Sequence, residues 1–233
     1  METKRTASDM YCVVGLVILL VCSSGELIGD TRTWYPEGSG NWDDPSNWRP
    51  PFVPTLNDTA IVNQGTVFIS SGDPAYCWEL QMGSLGGSVG RLVIDSPDSS
   101  LLLSGGDVTV GMAGEGTFTH AAGLVGPAPG VLGYTICLGE EGGARGVYYL
   151  GGGSLCGDTL VIGYSGLGSF VQSGGSWSAD FVTVGDRPEG AGVYNICVRW
   201  AFRTSGDMGS GVSAGLGTNR ERQVRHGAGS THL

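Results

Sequence analysis

The sequence predicts an all-β fold, a right-handed single-stranded parallel β-helix, and three observations support this prediction. A phrase of apolar residue, any residue, apolar residue and glycine occurs five times, and its closing glycines are 28, 28, 24 and 22 residues apart. A glycine followed two positions later by a large apolar residue comes after each phrase. Glycine contributes 43 of the 233 residues. Repeats of this length, built from short runs and glycine turns, are typical of a solenoid.

The two phrases recur in a fixed order along the chain. The first phrase closes at Gly83, Gly111, Gly139, Gly163 and Gly185, and the second ends at Leu92, Phe118, Tyr148, Phe170 and Tyr194. Because one repeat cannot bury its apolar face alone, successive repeats should stack about 4.8 Å apart and pair strand on strand. We therefore expect the large residues of the second phrase to form one inward row.

The apolar runs have the pattern of strands. They are short and alternate with period two, whereas helical repeats need a period of 3.6 over ten or more positions. A glycine inside a helix costs about 1 kcal/mol relative to alanine. We expect a repeat domain over residues 60–194. About five of its turns carry the two phrases, and residues 60–69 supply one or two turns before them. The usual crossover rule makes the β-helix right-handed, and a β-sandwich or β-roll is the alternative. The expected strands cover residues 107–110, 135–138, 159–162 and 181–184, with burial on Val110, Leu138, Ile162 and Val184.

Residues 1–25 have the pattern of a secretory signal peptide. Lys4 and Arg5 precede an apolar stretch at residues 11–22, and small residues follow it. The stretch is shorter than the roughly 20 residues of a spanning helix, so we expect cleavage after Ser24 or Gly25 and no membrane segment in the mature chain. A membrane anchor and a lipoprotein site at Cys22 are the alternatives.

Residues 26–59 form a segment rich in aromatic residues and proline. Trp34, Trp42 and Trp48 fall within 15 residues of one another, followed by Pro50, Pro51 and Pro54. The end of a solenoid exposes an apolar cross-section and free strand edges, so it needs a cap. We interpret the segment as an N-terminal aromatic cap. The alternative is a sugar-binding platform, which makes the three tryptophans candidate carbohydrate contacts.

Particular motifs of the chain resemble a known group of proteins. Residues 40–48 (GNWDDPSNW), then Val53-Pro54 and Asp58-Thr59-Ala60, resemble the start of autotransporter-associated and PEP-CTERM-type bacterial surface repeat proteins. Residues 168–175 (GSFVQSGG) and 182–185 (VTVG) are similar to their repeat. The resemblance covers roughly residues 34–194. It implies an exported β-helix passenger or stalk, usually without an assigned enzymatic activity.

The composition limits the partners and cofactors that we expect. The net charge of −10 disfavours nucleic acid and anionic membranes as partners. The single lysine, Lys4, precedes the expected cleavage site, so the mature chain has no lysine for a phosphate-binding loop or a Schiff base. Without the signal peptide four cysteines remain, which could form up to two disulfides, although Cys137 should point away from the apolar residues of its strand and stay unpaired. These cysteines are Cys77, Cys137, Cys156 and Cys197.

No motif for catalysis, cofactor binding or metal binding stands out. Residues 211–215 (GVSAG) have nucleophile-elbow spacing but no strand before them, so we interpret the match as chance. His120 is the one histidine of the repeats and should be a packed or surface residue. Asp158 and Asp180 should stack on adjacent turns, where calcium is an alternative to simple solvation. We therefore predict no catalytic, cofactor or metal-ligating residue.

The sequence as a whole favours an exported, non-enzymatic structural or adhesive solenoid, secreted or on the cell surface, with extracellular polysaccharide or cell-surface components as possible partners. The alternative is a carbohydrate-binding or polysaccharide-degrading β-helix. A groove that holds two carboxylates and an arginine, for example Arg91 or Arg145 beside Glu140 or Asp158, would support the alternative, because lyases need clustered carboxylates with a basic residue and hydrolases need carboxylate pairs.

The chain changes character after residue 194. Residues 1–194 hold 7 basic and 20 acidic residues, whereas residues 195–233 hold 5 and 2, and the charges of −13 and +3 sum to −10. Strand alternation and the paired glycine of earlier repeats stop there. We interpret residues 195–233 as an irregular, disordered tail, left where the repeat array was cut short. A functional basic tail is the alternative.

Overall fold

A computed structural model of the chain describes residues 29–70 and 72–196. The predictions for the signal peptide, Cys197, residues 211–215 and the tail beyond residue 196 lie outside the described residues. Within the described part, the structure has twenty strands and one short 3-10 turn at Pro45–Asn47. No helix of that part has the length and apolar character needed to cross a bilayer.

The strands are short, as the apolar runs predict. In chain order they are β1 (Thr31–Trp34), β2 (Ser39–Asn41), β3 (Trp48–Arg49), β4 (Thr59–Val62), β5 (Thr66–Ile69), β6 (Ala75–Cys77), β7 (Glu79–Met82), β8 (Val89–Ile94), β9 (Ser100–Leu103), β10 (Val108–Val110), β11 (Glu115–His120), β12 (Leu124–Pro127), β13 (Thr135–Leu138), β14 (Arg145–Leu150), β15 (Ser154–Cys156), β16 (Thr159–Ile162), β17 (Leu167–Gln172), β18 (Ser176–Ser178), β19 (Phe181–Val184) and β20 (Ala191–Ile196).

Three sheets run along the molecule. Sheet A has the order β19-β16-β13-β10-β7-β4-β1-β3, sheet B the order β2-β5-β8-β11-β14-β17-β20, and sheet C the order β18-β15-β12-β9-β6. From β4 onward the chain visits A, B and C in turn, so that each strand pairs in parallel with the strand three later. The described residues make about seven turns. The prediction of an all-β parallel solenoid is confirmed, and the four expected strands are β10, β13, β16 and β19.

The parallel ladder begins before the first glycine phrase. Strand β1 pairs in parallel with β4, and β2 pairs in parallel with β5. The segment 26–59 therefore contains the first turn in addition to its aromatic residues. Neither β1, with the sequence TRTW, nor β2, with SGN, carries the repeated phrase, so the sequence pattern does not reveal this turn.

An inward row of large side chains fills the solenoid behind sheet B. Phe118, Tyr148, Phe170 and Tyr194 occupy the same register position on successive turns. Their neighbouring ring centroids are 4.7, 5.3 and 5.4 Å apart. The first three rings are fully buried, whereas Tyr194 is partly buried because it lies on the last described turn. The expected inward row is confirmed.

A second inward row lies behind sheet A. Val110, Leu138 and Ile162 are completely buried, as expected. Val184 is only partly buried, although it packs against the same core. Its strand, β19, is the outermost strand of sheet A at this end, so no further described turn covers it.

Both glycine phrases are explained at the corner between sheets A and B. Gly111 closes the first phrase at a φ of +73°, a left-handed conformation that favours glycine. Gly116 opens the second phrase with ordinary φ, but a Cβ there would collide with the backbone nitrogen of Gly111. The first phrase needs glycine for its dihedral angle, and the second needs glycine for close backbone approach.

The aromatic segment packs at the β1 end of the stack. Strand β3 pairs antiparallel with β1 and occupies the edge of sheet A. The Trp48 ring lies 5.3 Å from that of Trp34 and 4.9 Å from that of Trp42, and its Nε1–H donates to the Trp42 carbonyl. The buried Asp58 carboxylate accepts hydrogen bonds from the backbone N–H groups of Asp30 and Thr55. That the segment protects the end of the solenoid stays a prediction.

Candidate functional site

The three tryptophans that the sequence offers as carbohydrate contacts lie in the core. Trp34, Trp42 and Trp48 are 1%, 3% and 0% exposed. In this conformation the Trp48 ring packs edge-to-face against both of the other rings, and all three are buried. Their contact with carbohydrate stays a prediction, and it would require the segment to open.

The structure separates the groups that a catalytic groove would need. Arg91 and Arg145 lie on the outward positions of sheet B, whereas Asp158 directly precedes β16 of sheet A. Among the described residues, neither arginine forms an ion pair with Glu140, Asp158 or any other carboxylate. The arrangement of arginine beside Glu140 or Asp158 is therefore absent from the described part of the chain.

Asp158 and Asp180 stack on adjacent turns, as expected. The backbone N–H of Asp180 donates to the carbonyl of Asp158 at 2.7 Å, and both residues are exposed. Over residues 29–70 and 72–196, no group of three or more His, Cys, Asp or Glu residues is placed to hold a metal ion. The exposed carboxylates are placed for hydration, which relieves the repulsion between stacked like charges.

His120 faces inward, on the same side of β11 as Phe118. It is fully buried, with Nδ1 3.0 Å from the Tyr148 hydroxyl and Nε2 3.3 Å from the Gly123 carbonyl oxygen. A carbonyl only accepts hydrogen bonds, so Nε2 carries the proton and Nδ1 accepts from Tyr148. Burial lowers the pKa of His120 despite nearby backbone hydrogen bonds that raise it. The expectation of a packed histidine is confirmed.

The same arrangement occurs two turns later with a different side chain. Gln172 holds the register position of His120, and its Nε2 donates to the Gly175 carbonyl at 3.3 Å. Its Oε1 accepts from the Tyr194 hydroxyl at 3.2 Å. Both polar side chains are buried, and each bonds to a tyrosine hydroxyl of the next turn and to a backbone carbonyl of its own turn, so they join successive turns.

The described cysteines are thiols. Cys77, Cys137 and Cys156 form no disulfide. Cys137 lies between Ile136 and Leu138 but outside the core cluster that contains them, as expected for the opposite face of β13. Burial, followed by the charge of Glu140, raises the pKa of the Cys137 thiol to about 12. Because the thiolate is the nucleophilic form, this thiol is unreactive at neutral pH.

Glu140 is a carboxyl group beside sheet A whose pKa is raised. Burial raises its pKa, and the neighbouring Glu141, Glu79 and Asp107 raise it further, against a hydrogen bond from Thr109. The surrounding charges are carboxylates, so this surface holds protons more tightly than an isolated carboxyl does. It offers no basic group within ion-pair distance among the described residues.

The outer face of sheet B carries a shallow depression beside exposed charged and aromatic side chains. A shallow depression of about 130 Å³ is lined by Glu115, Thr117, Arg145, Val147 and Tyr149, together with the Gly116 backbone. Tyr149 is 45% exposed and lies opposite Thr119 of the neighbouring turn. Sequence reasoning missed Tyr149 and Glu115. The signal was present, because strand alternation that points Tyr148 inward necessarily points Tyr149 outward.

Chemically, this face presents hydrogen-bond donors, one carboxylate and an aromatic ring on a rigid ladder. The outward positions of β8, β11, β14 and β17 hold one carboxylate, that of Glu115, whereas glycoside hydrolases use a pair of carboxylates. Comparisons of the chain with protein-family models, with curated proteins and with solved structures find no match.

Proposed function

We propose that the chain is an exported, non-enzymatic β-solenoid that serves as a structural or adhesive module at the cell surface or in the extracellular space. The observation that carries this proposal is the continuous parallel ladder of about seven turns from β1 to β20. Such a ladder offers long, regular outer faces, and solenoids commonly bind through extended surfaces of this kind. The faces are rigid because every strand inside a sheet is hydrogen-bonded to two neighbours.

Export is supported by the N-terminal sequence. Lys4 and Arg5, the apolar residues 11–22 and the small residues that follow favour a signal peptide. The resemblance to autotransporter-associated and PEP-CTERM-type surface proteins favours the same destination. The mature chain would begin after Ser24 or Gly25.

The test is expression of the full chain in a bacterial host, followed by cell fractionation and intact-mass measurement. We expect the exported protein to lack residues 1–24 or 1–25. The variant Ile18→Arg places a charge in the apolar stretch and should keep the chain inside the cell with Met1 intact. An unmodified chain that retains its N-terminus and stays inside the cell would contradict the proposal.

A second candidate function is a carbohydrate-binding or polysaccharide-degrading β-helix. The observation that favours it is the pair of unpaired arginines, Arg91 and Arg145, on the face that exposes Tyr149. Incubation with acidic polysaccharides, with an assay for new reducing ends, separates the two activities. New reducing ends would replace the non-enzymatic proposal, whereas retention on an immobilised glycan without cleavage would support binding alone.

A further inference from the structure

The described residues contain five arginines and no lysine, and the arginines divide into two kinds. Arg32 pairs with Asp30, and Arg187 pairs with Asp186. Arg49 lies 4.0 Å from the centroid of the Tyr35 ring and donates to backbone carbonyls. The guanidinium groups of the other two have no hydrogen-bond, ion-pair or ring partner within the described ranges. These two are Arg91 and Arg145.

Both free arginines lie on the outer face of sheet B. Arg91 of β8 is opposite Thr117 of β11, and Arg145 of β14 is opposite Glu115 of β11. Strands two apart are about 9.6 Å from each other, and two residues advance about 6.6 Å along a strand, so the two Cα atoms are about 12 Å apart. Glu115 lies between the two arginines but forms an ion pair with neither.

The charge of this face differs from that of the chain. The outward positions of β8, β11, β14, β17 and β20 hold two arginines and one glutamate, a local charge of +1 in a chain of −10. The other outward side chains, Tyr149 among them, are uncharged. A guanidinium group without a protein partner keeps five N–H donors in a fork that matches a carboxylate.

The depression lies beside Arg145 and runs along β11 and β14. Tyr149 is at one end of it and the Glu115–Arg145 pair of positions is at the other. The exposed Tyr149 ring offers an apolar face and a polar hydroxyl group. These features complement a ligand ring that is apolar on its face and polar at its edge. Sugars have this property, and acidic sugars add the carboxylate that a free guanidinium recognises.

We propose that the outer face of sheet B binds an acidic polysaccharide, with Arg91 and Arg145 holding carboxylates of the polymer and Tyr149 packing on a sugar ring. This inference rests on the proposed function, because an exported chain is the one that meets extracellular glycans. Nucleic acid is a poorer fit, since its backbone carries one charge per about 1.7 Å and binding proteins need many cations. Two guanidinium groups suit a polymer of lower charge density.

The test is isothermal titration calorimetry of the full chain, purified as exported, with hexagalacturonate as the acidic probe and maltohexaose as the neutral one. We expect binding of hexagalacturonate that weakens as salt is raised, and little binding of maltohexaose. The double variant Arg91→Ala/Arg145→Ala should weaken binding at least tenfold, because each arginine contributes a charge-assisted hydrogen bond. Tyr149→Ala should weaken it severalfold.

The matched control is Arg187→Ala, which removes the same charge from the loop between β19 and β20, outside the outward strand positions of sheet B, and should leave affinity unchanged. Circular dichroism melts confirm that each variant is folded. The inference is overturned if hexagalacturonate does not bind at millimolar concentration, or if the double variant binds it as tightly as the parent. It is also overturned if Arg187→Ala weakens binding as much as the double variant does, or if a DNA duplex binds more tightly than hexagalacturonate. An exported chain that fails to bind overturns this inference alone, whereas a chain retained with Met1 intact overturns the proposed function.

Discussion

The Tyr148 hydroxyl donates a hydrogen bond to Nδ1 of His120, across 3.0 Å and from the next turn of the solenoid. Because Nε2 of the same ring donates to the partly buried Gly123 carbonyl, one imidazole joins its own turn to the next one. Gln172 makes the equivalent pair of bonds with Tyr194 and Gly175. Glutamine and histidine thus make the same two kinds of hydrogen bond at one position of the repeat.

This relationship predicts a pH-dependent stability that depends on His120. Burial lowers the pKa of His120 below its ordinary 6.5. Below pH 6.5 the unfolded chain therefore binds a proton that the folded chain does not, so the free energy of unfolding should fall as the pH drops through this range. His120→Gln retains a donor and an acceptor and should remove that part of the pH dependence.

His120→Leu is the contrasting variant for this position. It leaves the buried Tyr148 hydroxyl without its partner and removes one of the two hydrogen bonds to the Gly123 carbonyl, which keeps the bond from the Ser154 N–H. The loss should cost about 1–3 kcal/mol at neutral pH. Urea unfolding of both variants at pH 5 and pH 7.5 measures the effects. If His120→Gln keeps the slope of the parent between these pH values, His120 is not the group responsible.

Gly146→Ala should destabilise the corner between sheets A and B by about 3 kcal/mol, because its Cβ would collide with the backbone carbonyl of Val110. Gly142→Ala is the matched control, since a Cβ there has open space and the backbone φ is ordinary. The control should stay within about 0.5 kcal/mol of the parent. Equal unfolding midpoints for the two variants would contradict the close-approach explanation.

Ile162→Asp should unfold the turns on either side of β16. The side chain is completely buried between Leu138 and Val184, and an unpaired charge there should cost at least about 4 kcal/mol. Val161→Asp changes the neighbouring outward position, which is partly solvated, and should cost about 1 kcal/mol or less. Thermal melts followed by circular dichroism compare them. A melt of Ile162→Asp that matches the parent would show that the inward assignment is wrong.

Trp48→Ala tests whether the aromatic segment protects the end of the solenoid. Loss of this fully buried ring should cost about 3–5 kcal/mol and loosen β3 from the edge of β1, which exposes a strand edge to other molecules. Sedimentation velocity should then show oligomers. Trp78→Ala, at a ring that is 44% exposed, is the control and should remain like the parent in sedimentation. A monomeric, parent-like Trp48→Ala would contradict the cap interpretation.

The sequence predicts the repeating part of this fold well because its glycines are required by geometry. Each first-phrase glycine has positive φ, and each second-phrase glycine sits against backbone. The sequence does not reveal the first turn, because β1 and β2 pair with the same sheets although neither strand carries the glycine phrases. The hydrogen bond from Tyr148 to His120 is missed as well, since a partner 28 residues away becomes visible only once the turn length and register are known.

The candidate site is less visible in sequence than the fold. Aromatic residues drew attention to Trp34, Trp42 and Trp48, yet burial uses all three in packing. No sequence motif marks Tyr149 or the two free arginines. They form a candidate site because they share the outer face of sheet B and because the arginines have no partner among the described residues. Alternation along a strand identifies the face, but only the register places Arg145 opposite Glu115.

The two-glycine corner also determines where the chain is able to change length. From the closing glycine of the first phrase to the inward large residue of the second, the five corners span 9, 7, 9, 7 and 9 residues. From that large residue through sheet C to the next closing glycine, the chain takes 19, 21, 15 and 15 residues. Length variation is therefore concentrated on the side of sheet C. The corner between sheets A and B is nearly constant in length, whereas the connections through sheet C vary. Insertions, new loops and new binding specificities can therefore arise on the side of sheet C without a change in strand register.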